Sequence, residues 1–459
     1  MKKVSPLHFT PIGGGREIGA NSYSIEVEDH RILLDCGVHP KKEGPQALPD
    51  FSLLDEAPES VVISHGHVDH CGAVPELLRR FRETVPYTTP ATLAVMDRML
   101  HNSVSVMGTI ARERNVPGYP LYTHEDVEYA IGSTVAVGLD EEFSVGGNGD
   151  VLGRLRHAGH VLGSASVLLR AEGHTLFYTG DICDRDQELL AGLEPLEDSE
   201  DIDTLVIEST YGANLDADHF DYEEQSERFC RRIAEVLHRG GSVLVPAFAL
   251  GRTQEMLNII ARYQDSGELP SVPVYASGLG RAVYEVYNRF PDYLHPDAWL
   301  RPLSRFGRVG DVWNRDNVQD LLEEPCIIVA TSGMMVENTP SALIAEEVVQ
   351  STQHGIFFVG YIDPDTLGYK VLHSKKGALL RFGTARAAVR ISLENIRHFH
   401  FSAHAPRNAL HEQIERLNPR NVIFVHGDPE AIDWMLEETS GDGRRTFCAR
   451  AGQTIRLEA

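Results

Sequence analysis

The sequence predicts an α/β protein of two domains, one inserted into the other, and three observations lead there. The chain has 459 residues, and single cores stop growing at ~250–300 residues, beyond which chains divide. The first 210 residues alternate short β-branched runs with turns, whereas from about Tyr222 buried strands alternate with helices. After Arg390 the first pattern returns. A composition of 42% hydrophobic and 24% charged residues, with 40 Gly and 24 Pro, excludes wholesale disorder and fibrous folds. No apolar run reaches the ~18–20 residues of a membrane helix.

The elements follow in order. Asn21–Val27, Arg31–Asp35, Ser60–Ile63, Ser166–Arg170, Thr175–Thr179 and Thr204–Ile207 read as strands, being β-branched runs bounded by turn residues. Ala73–Arg82 and Ala91–Arg112 read as helices. RILLDCG and TLFYTGD run from a strand into an acidic residue and a Gly, a position where the strand fixes geometry and the loop exposes a side chain. In the second pattern YEEQSERFCRRIAEVLHRG is an amphipathic helix stopped by Gly240 and Gly241. SVLVPAF, VPVYAS, CIIVATSG and GIFFVGY are buried strands, separated by helices such as Gly251–Arg262 and Gly280–Arg289. Such an order implies a parallel sheet covered by helices. A helix over Pro406–Leu417 and the strand in NVIFVHGD complete the returning first domain.

The opening MKKVSPLHFTPIGGG has two lysines but no apolar segment behind them, so no secretory signal is read there. Cys36, Cys71, Cys183, Cys230, Cys326 and Cys448 are widely spaced and form no CxxC pair. Free thiols in a reducing compartment, and so a cytoplasmic address, are the expectation. Charge is uneven. The chain carries 42 Lys+Arg against 67 Asp+Glu, a net −25, which argues against a generic nucleic-acid binder. Asp186–Glu227 alone holds 15 acidic residues and no Lys or Arg. Thr366–Leu393, by contrast, holds Lys370, Lys375, Lys376, Arg381, Arg386 and Arg390 and no acid. Such a stretch is able to hold a polyanion that the whole chain would repel, against the blander reading of a solvated face.

Ser64-His65-Gly66-His67-Val68-Asp69-His70 follows the apolar strand directly and puts four metal-capable side chains within six positions. In a tight turn His65 and His67 face one ion while Asp69 and His70 face a second. One zinc takes about four N, O or S ligands, so both sites need more. His160 in HAGHVLGSAS, Asp181 at the end of LFYTGDI and His426 at the end of NVIFVHGD supply them. The set is then His65, His67 and His160 on one ion, Asp69, His70 and His426 on the other, and Asp181 between them. Two ions ~3.5–4 Å apart with a hydroxide between them provide a nucleophile and a clamp for displacement at phosphorus. His157, His398 and His400 read better as satisfied structural histidines than as ligands.

The spacing resembles the metallo-β-lactamase superfamily, in which Asp35 of LLDCG braces the metal loop instead of binding metal. Second-sphere bracing is also what ligating histidines require. Ile207-Glu208-Ser209-Thr210-Tyr211-Gly212, Phe401-Ser402-Ala403-His404 and Phe424-Val425-His426-Gly427 resemble the three motifs of the β-CASP branch. PAFALGRTQEML, ASGLGRAVYEVY, ATSGMM and GYIDPDTLG resemble its intervening segments, in the right order. GGGREIGANSY also resembles bacterial ribonuclease J, although ATSGMM departs from the glutamine-containing segment expected there. The resemblance implies an αββα sandwich over residues 1–208 and 396–459, with an inserted α/β (β-CASP) domain over 209–395. It further implies an RNA phosphodiesterase with two zinc ions, manganese being the alternative, cutting internally, from the 5′ end, or both. The catalytic set would be Asp69, His404 as general acid, Glu208 beside it and Asp35. Ser332, Gly333, Ser402, Lys375, Lys376 and Arg381 would bind substrate. RNA is the partner, with no membrane and with a homodimer as the assembly to test. The competing readings are a hydrolase of DNA or small nucleotide diesters and a non-catalytic β-CASP scaffold.

Overall fold

The computed structural model describes residues 6–146, 149–171, 173–196, 201–383, 386–441 and 443–458. Met1–Ser5 at the opening, Glu197–Glu200 of the acidic stretch, and Thr384 and Ala385 of the basic stretch lie outside them. The chain forms two compact units, Met1–Arg185 with Gly192–Asp218 and His404–Ala459, and Asp186–Ala191 with His219–Ala403. Among the described residues no helix is long and apolar enough to cross a membrane.

The first unit holds two seven-stranded sheets. One runs, in spatial order, through Ile455–Leu457, Leu7–Gly13, Ser22–Val27, His30–Leu34, Ser60–Val62, Val85–Thr88 and Val135–Ala136. The other runs through Arg445–Cys448, Asn421–Val425, Thr204–Glu208, His174–Tyr178, Ala165–Ala171, Leu152–His157 and Glu142–Ser144. Alternation along each strand explains the layering, because successive side chains point to opposite faces. Ile32, Leu34 and Val62 share a core with Val206, Ile423 and Val425 of the second sheet. Their neighbours turn outward to the helices: Leu33 and Val61 pack with Leu77 and Leu100, and Leu205, Ile207 and Phe424 pack with Leu410 and Ile432. The result is helix, sheet, sheet, helix, and truncating one of these central side chains to Ala would cost ~2–5 kcal/mol.

Thr204–Glu208 and Asn421–Val425 are parallel neighbours. Parallel neighbours need a crossover, and here the crossover carries the second unit. That unit is a six-stranded, wholly parallel sheet in the order Gly307–Arg308, Val274–Ala276, Ile327–Ala330, Val243–Pro246, Gly355–Phe358, Asn395–His398. Its central strands are buried on both faces: Val243, Val245, Ile327 and Val329 enter one core, and Leu244, Ile328 and Ala330 the other. This is why they read as continuous apolar runs.

Candidate metal centre

The metal-capable side chains of the first unit sit where strands end. After Ser60–Val62 the chain bends at Gly66 and His67, and His67 stands at the N-cap of the short helix Val68–Cys71. The loop carries His65 and His67, and the helical turn carries Asp69 and His70. His160 lies in the loop between Leu152–His157 and Ala165–Ala171, Asp181 follows His174–Tyr178, Glu208 ends Thr204–Glu208, and His426 follows Asn421–Val425. The last three strands are mutually parallel, so their C-terminal ends open on one edge.

The His160 loop is anchored by a helix terminus. Thr89 caps the helix Pro90–Arg114, and both Thr89 and Thr92 donate their hydroxyls to the Gly163 carbonyl, at 2.7 and 2.8 Å. Gly163 has φ +76°, and a Cβ there would stand 2.5 Å from the Thr92 nitrogen, so no other residue fits without displacing the helix. Ser64 is held in turn by Asp35, whose φ is 61°. Its buried carboxylate accepts from the Ser64 amide at 2.7 Å, the Ser64 hydroxyl at 2.8 Å and the Tyr178 hydroxyl at 2.6 Å, and lies 2.7 Å from His70 Nδ1. With Nδ1 directed at Asp35, His70 turns Nε2 towards the cluster.

The structure brings all seven nominated ligands together, in two sets. Atoms of His65, His67, His160 and Asp181 lie within 4.8 Å of one another, as do those of Asp69, His70 and His426. Asp181 Oδ2 lies 3.6 Å from His65 Nε2, 3.4 Å from His70 Nε2 and 3.7 Å from His160 Nε2, so it faces both sets. His67 Nδ1 is 3.0 Å from His65 Nε2 and 3.1 Å from His160 Nε2. A tetrahedral ion with ~2.0–2.1 Å bonds spaces its donors by ~3.3 Å, close to that separation. Asp181 Oδ1, although buried, accepts no hydrogen bond among the described residues, and His426 Nδ1 stands 3.1 Å from it. Facing imidazole lone pairs and an orphaned buried carboxylate oxygen are costly alone and are what a cation satisfies. The residues fit metal.

Electrostatics differ along the cluster: burial opposes charge on His70, yet Asp181, Asp69 and Asp35 hold it well above the ordinary histidine value. Burial and the neighbouring imidazoles push His65 well below the ordinary histidine value, and burial lowers His67 to about 4 although Asp69 and Asp181 oppose it. Both therefore stay neutral with a free lone pair. Burial disfavours the Asp181 carboxylate, yet His426 and His70 hold it well below the usual range. His404 is different. Its Nδ1 lies 3.1 and 3.3 Å from the two oxygens of Glu208, and Glu208 Oε1 also accepts from the Ile182 amide at 2.7 Å. Burial works against charge on His404, but the Glu208 carboxylate and its hydrogen bond, with Asp181 and Asp69, push it up to about 9 in the metal-free cluster.

His157 lies outside these groups, as expected. In the second unit His398 Nε2 meets the Gly360 carbonyl at 2.8 Å and His400 stacks on Phe220 at 3.8 Å, both structural placements. The Ser332 hydroxyl accepts from the Val336 amide at 2.9 Å, and a Cβ on Gly333 would stand 2.9 Å from Phe248. The basic stretch is less free than its sequence suggests: Lys376 pairs with Glu394 at 2.7 Å and Arg386 with Glu346. Lys375 and Arg381 are exposed and form no ion pair among the described residues. Ser402 belongs to the second unit too. Sequence reading missed Ser64, Tyr178, Asn21 and Tyr23, which position the metal loop.

A sandwich of this kind with a His/Asp cluster at its strand ends defines a metallo-β-lactamase-type hydrolase. Residues 15–233 match the metallo-β-lactamase superfamily, 253–371 the Beta-Casp domain, and 388–447 a Zn-dependent metallo-hydrolase RNA specificity domain. The chain belongs to the β-CASP branch of that superfamily. It is 31% identical over 418 residues to an RNase J-like protein of Methanocaldococcus jannaschii, covering 91% of each chain. It is 31% identical over 433 residues to cleavage and polyadenylation specificity factor 73 of Drosophila melanogaster, covering 92% of this chain but 60% of that protein. A crystal structure of a protein of unknown function from Enterococcus faecalis V583 shares the fold, with a TM-score of 0.58 at 13% identity over 98% of this chain and 100% of that one.

Proposed function

We propose that this chain is a two-metal ribonuclease, hydrolysing RNA phosphodiesters internally, from the 5′ end, or both. One observation carries the proposal. Seven side chains from four separate stretches converge with ring nitrogens 3.0–3.1 Å apart, more than one tetrahedral ion uses. Zinc suits the mixed N and O donors, with manganese the alternative. When bound, the ions supply Lewis acidity and a nucleophile at neutral pH. His65, His67 and His160 would hold one, Asp69, His70 and His426 the other, and Asp181 both. Asp69, partly exposed at the edge of the cluster, would also orient the nucleophile. His404 would protonate the leaving oxygen from Nε2, because Glu208 holds Nδ1. The names of the fly factor and the archaeal relative, with the matched RNA specificity domain, support RNA as the substrate. Exposed Lys375 and Arg381, with Lys376, would contact its backbone, and Ser332, Gly333 and Ser402 would line its path. A reducing cytoplasmic setting and a homodimer complete the reading.

Elemental analysis of the active protein, followed by cleavage of a labelled RNA and the matching DNA, tests it. Two metals per chain and RNA cleavage that Asp181→Ala abolishes are expected. One metal or none in active protein sinks the two-metal reading, and equal cleavage of the DNA sinks the substrate.

A further inference from the structure

We propose that Asn21 is a positioning residue that clamps the Asp69–His70 peptide and thereby sets occupancy of the second metal position. The inference rests on the two-metal reading. Asn21 is buried, with no exposed surface. Its backbone amide donates to the Asp69 carbonyl at 3.0 Å, and its side-chain Nδ2 donates to the same oxygen at 3.1 Å. Both lone pairs of one ligand residue's carbonyl are thus engaged by one residue 48 positions away. The amide orientation is fixed by chemistry, since the opposite flip would set Oδ1 against the Asp69 oxygen. In the orientation seen, the Tyr23 hydroxyl lies 3.0 Å from Asn21 Oδ1 and also 3.0 Å from the Gly14 carbonyl. Nδ2 also lies 3.1 Å from His70 Nε2, the atom aimed at the cluster.

The surroundings make the clamp specific. Gly37 donates to the Asn21 carbonyl at 2.9 Å, and Cys36 donates to the His70 carbonyl at 2.8 Å. A Cβ on Gly37 would stand 1.6 Å from the Asp69 carbonyl oxygen, so the glycine permits this approach. The other half of the loop is held differently: Ser64 bonds to Asp35, and the Ser64 hydroxyl lies 3.1 Å from His65 Nδ1. Removing the Asn21 side chain therefore loosens Asp69 and His70 while His65, His67 and His160 keep their supports. Outer-sphere partners of ligands are typically worth ~10–100-fold in metal affinity.

Two measurements on Asn21→Ala and Asn21→Asp test this. The first is hydrogen exchange of the peptide spanning 65–72 in metal-free protein, which needs no assumption about metal number. Exchange at Asp69–Gly72 is expected to accelerate in both variants. The second is calorimetric titration with Zn2+, expected to weaken one of its two steps by ~10–100-fold and to keep the other. Tyr23→Phe, which keeps the ring and so the fold, is expected to weaken the same step by a smaller factor, about 5-fold for one hydrogen bond. Unchanged exchange overturns the clamp. Faster exchange with both steps unchanged, or equal weakening of both steps, overturns its link to occupancy. A single step in the unmutated protein sinks the two-metal reading instead, and the exchange result still decides the clamp.

Discussion

Replacing His404 with Ala separates a proton donor from a packing residue. His404 has a side chain 22% exposed, while its partner Glu208 is wholly buried. The imidazole is therefore the part of the pair that reaches the open edge of the cluster. With Nδ1 3.1 Å from Glu208, Nε2 is the nitrogen turned away from that carboxylate, and the carboxylate charge favours the protonated ring a general acid needs. In the metal-free protein that balance lies at about 9, and cations in the cluster lower it toward the neutral range by direct repulsion. Loss of a general acid slows reactions by ~10²–10⁴, or ~3–5 kcal/mol of barrier at 1.36 kcal/mol per decade. His404→Ala should show this loss in single-turnover cleavage while retaining both metals and a near-native melting temperature. Glu208→Gln keeps an acceptor for Nδ1 but removes the charge, so a smaller loss and a shifted pH–rate profile are expected. A His404→Ala protein that cuts at the normal rate refutes the argument. So does one that loses metal, since the histidine would then be a ligand.

Other expectations follow from the same geometry. Asp35→Asn sets an NH2 either against the Ser64 amide or against the Ser64 hydroxyl, Tyr178 hydroxyl and His70 Nδ1; either way a brace of the loop is lost, and zinc affinity should fall by ~10–100-fold. An unchanged zinc isotherm refutes it. Neutralising Lys375, Lys376 and Arg381 together should weaken RNA binding and reduce the log–log salt slope by ~0.7 for each RNA phosphate no longer neutralised. An unchanged slope makes them an ordinary solvated face. In the second unit, burial pushes Glu188 up to about 7 despite Arg262 and Arg301, aided by Glu255 and Glu223. Between pH ~4.5 and ~7 the unfolded chain releases a proton the folded chain keeps, so stability should fall as pH rises through that window, by up to roughly 3 kcal/mol. Urea denaturation of Glu188→Gln should show a flatter slope there; an identical slope refutes it.

The cluster of candidate ligands was legible because each sits in a local pattern: a histidine run after an apolar strand, or an acid or histidine at a strand's end. Their supports were not. The Tyr178 hydroxyl reaches Asp35 across 143 positions and Asn21 reaches Asp69 across 48, pairings that exist only once the sheets have formed. Asn21 stood in plain view in GGGREIGANSY, yet nothing local distinguishes a clamping Asn from a turn Asn. Leu7–Gly13 escaped as a strand because Pro11 and Gly13 break the pattern; it pairs with Ser22–Val27 with a register shift between those residues. Leu152–His157 escaped because LGRLRH is basic, although it crosses the second sheet. The helix His124–Ser133 escaped although Thr123 and Asp126 form a capping box. Thr366–Leu393 looked acid-free because its counter-charges, Glu346 and Glu394, come from outside the stretch.

Convergence of so many polar groups also bears on stability. His67 stands 3.0 Å from His65 and 3.1 Å from His160, and Asp181 Oδ1 accepts no hydrogen bond among the described residues. Such an arrangement costs free energy that a bound cation returns, and binding to the folded state alone stabilises it by RT ln(1 + [L]/Kd). At a hundredfold excess over Kd each site contributes about 2.7 kcal/mol. Two sites would then raise the melting temperature of a unit this size by ~10–20 °C. The second unit has its own cores, so its transition should stay where it is. Chelation should therefore lower the transition of the sandwich alone, as hydrogen exchange of peptides from the two units would show. Identical melting before and after chelation, with metal removal confirmed by elemental analysis, would mean that metal binding does not favour the folded sandwich over the unfolded chain, and would refute the argument.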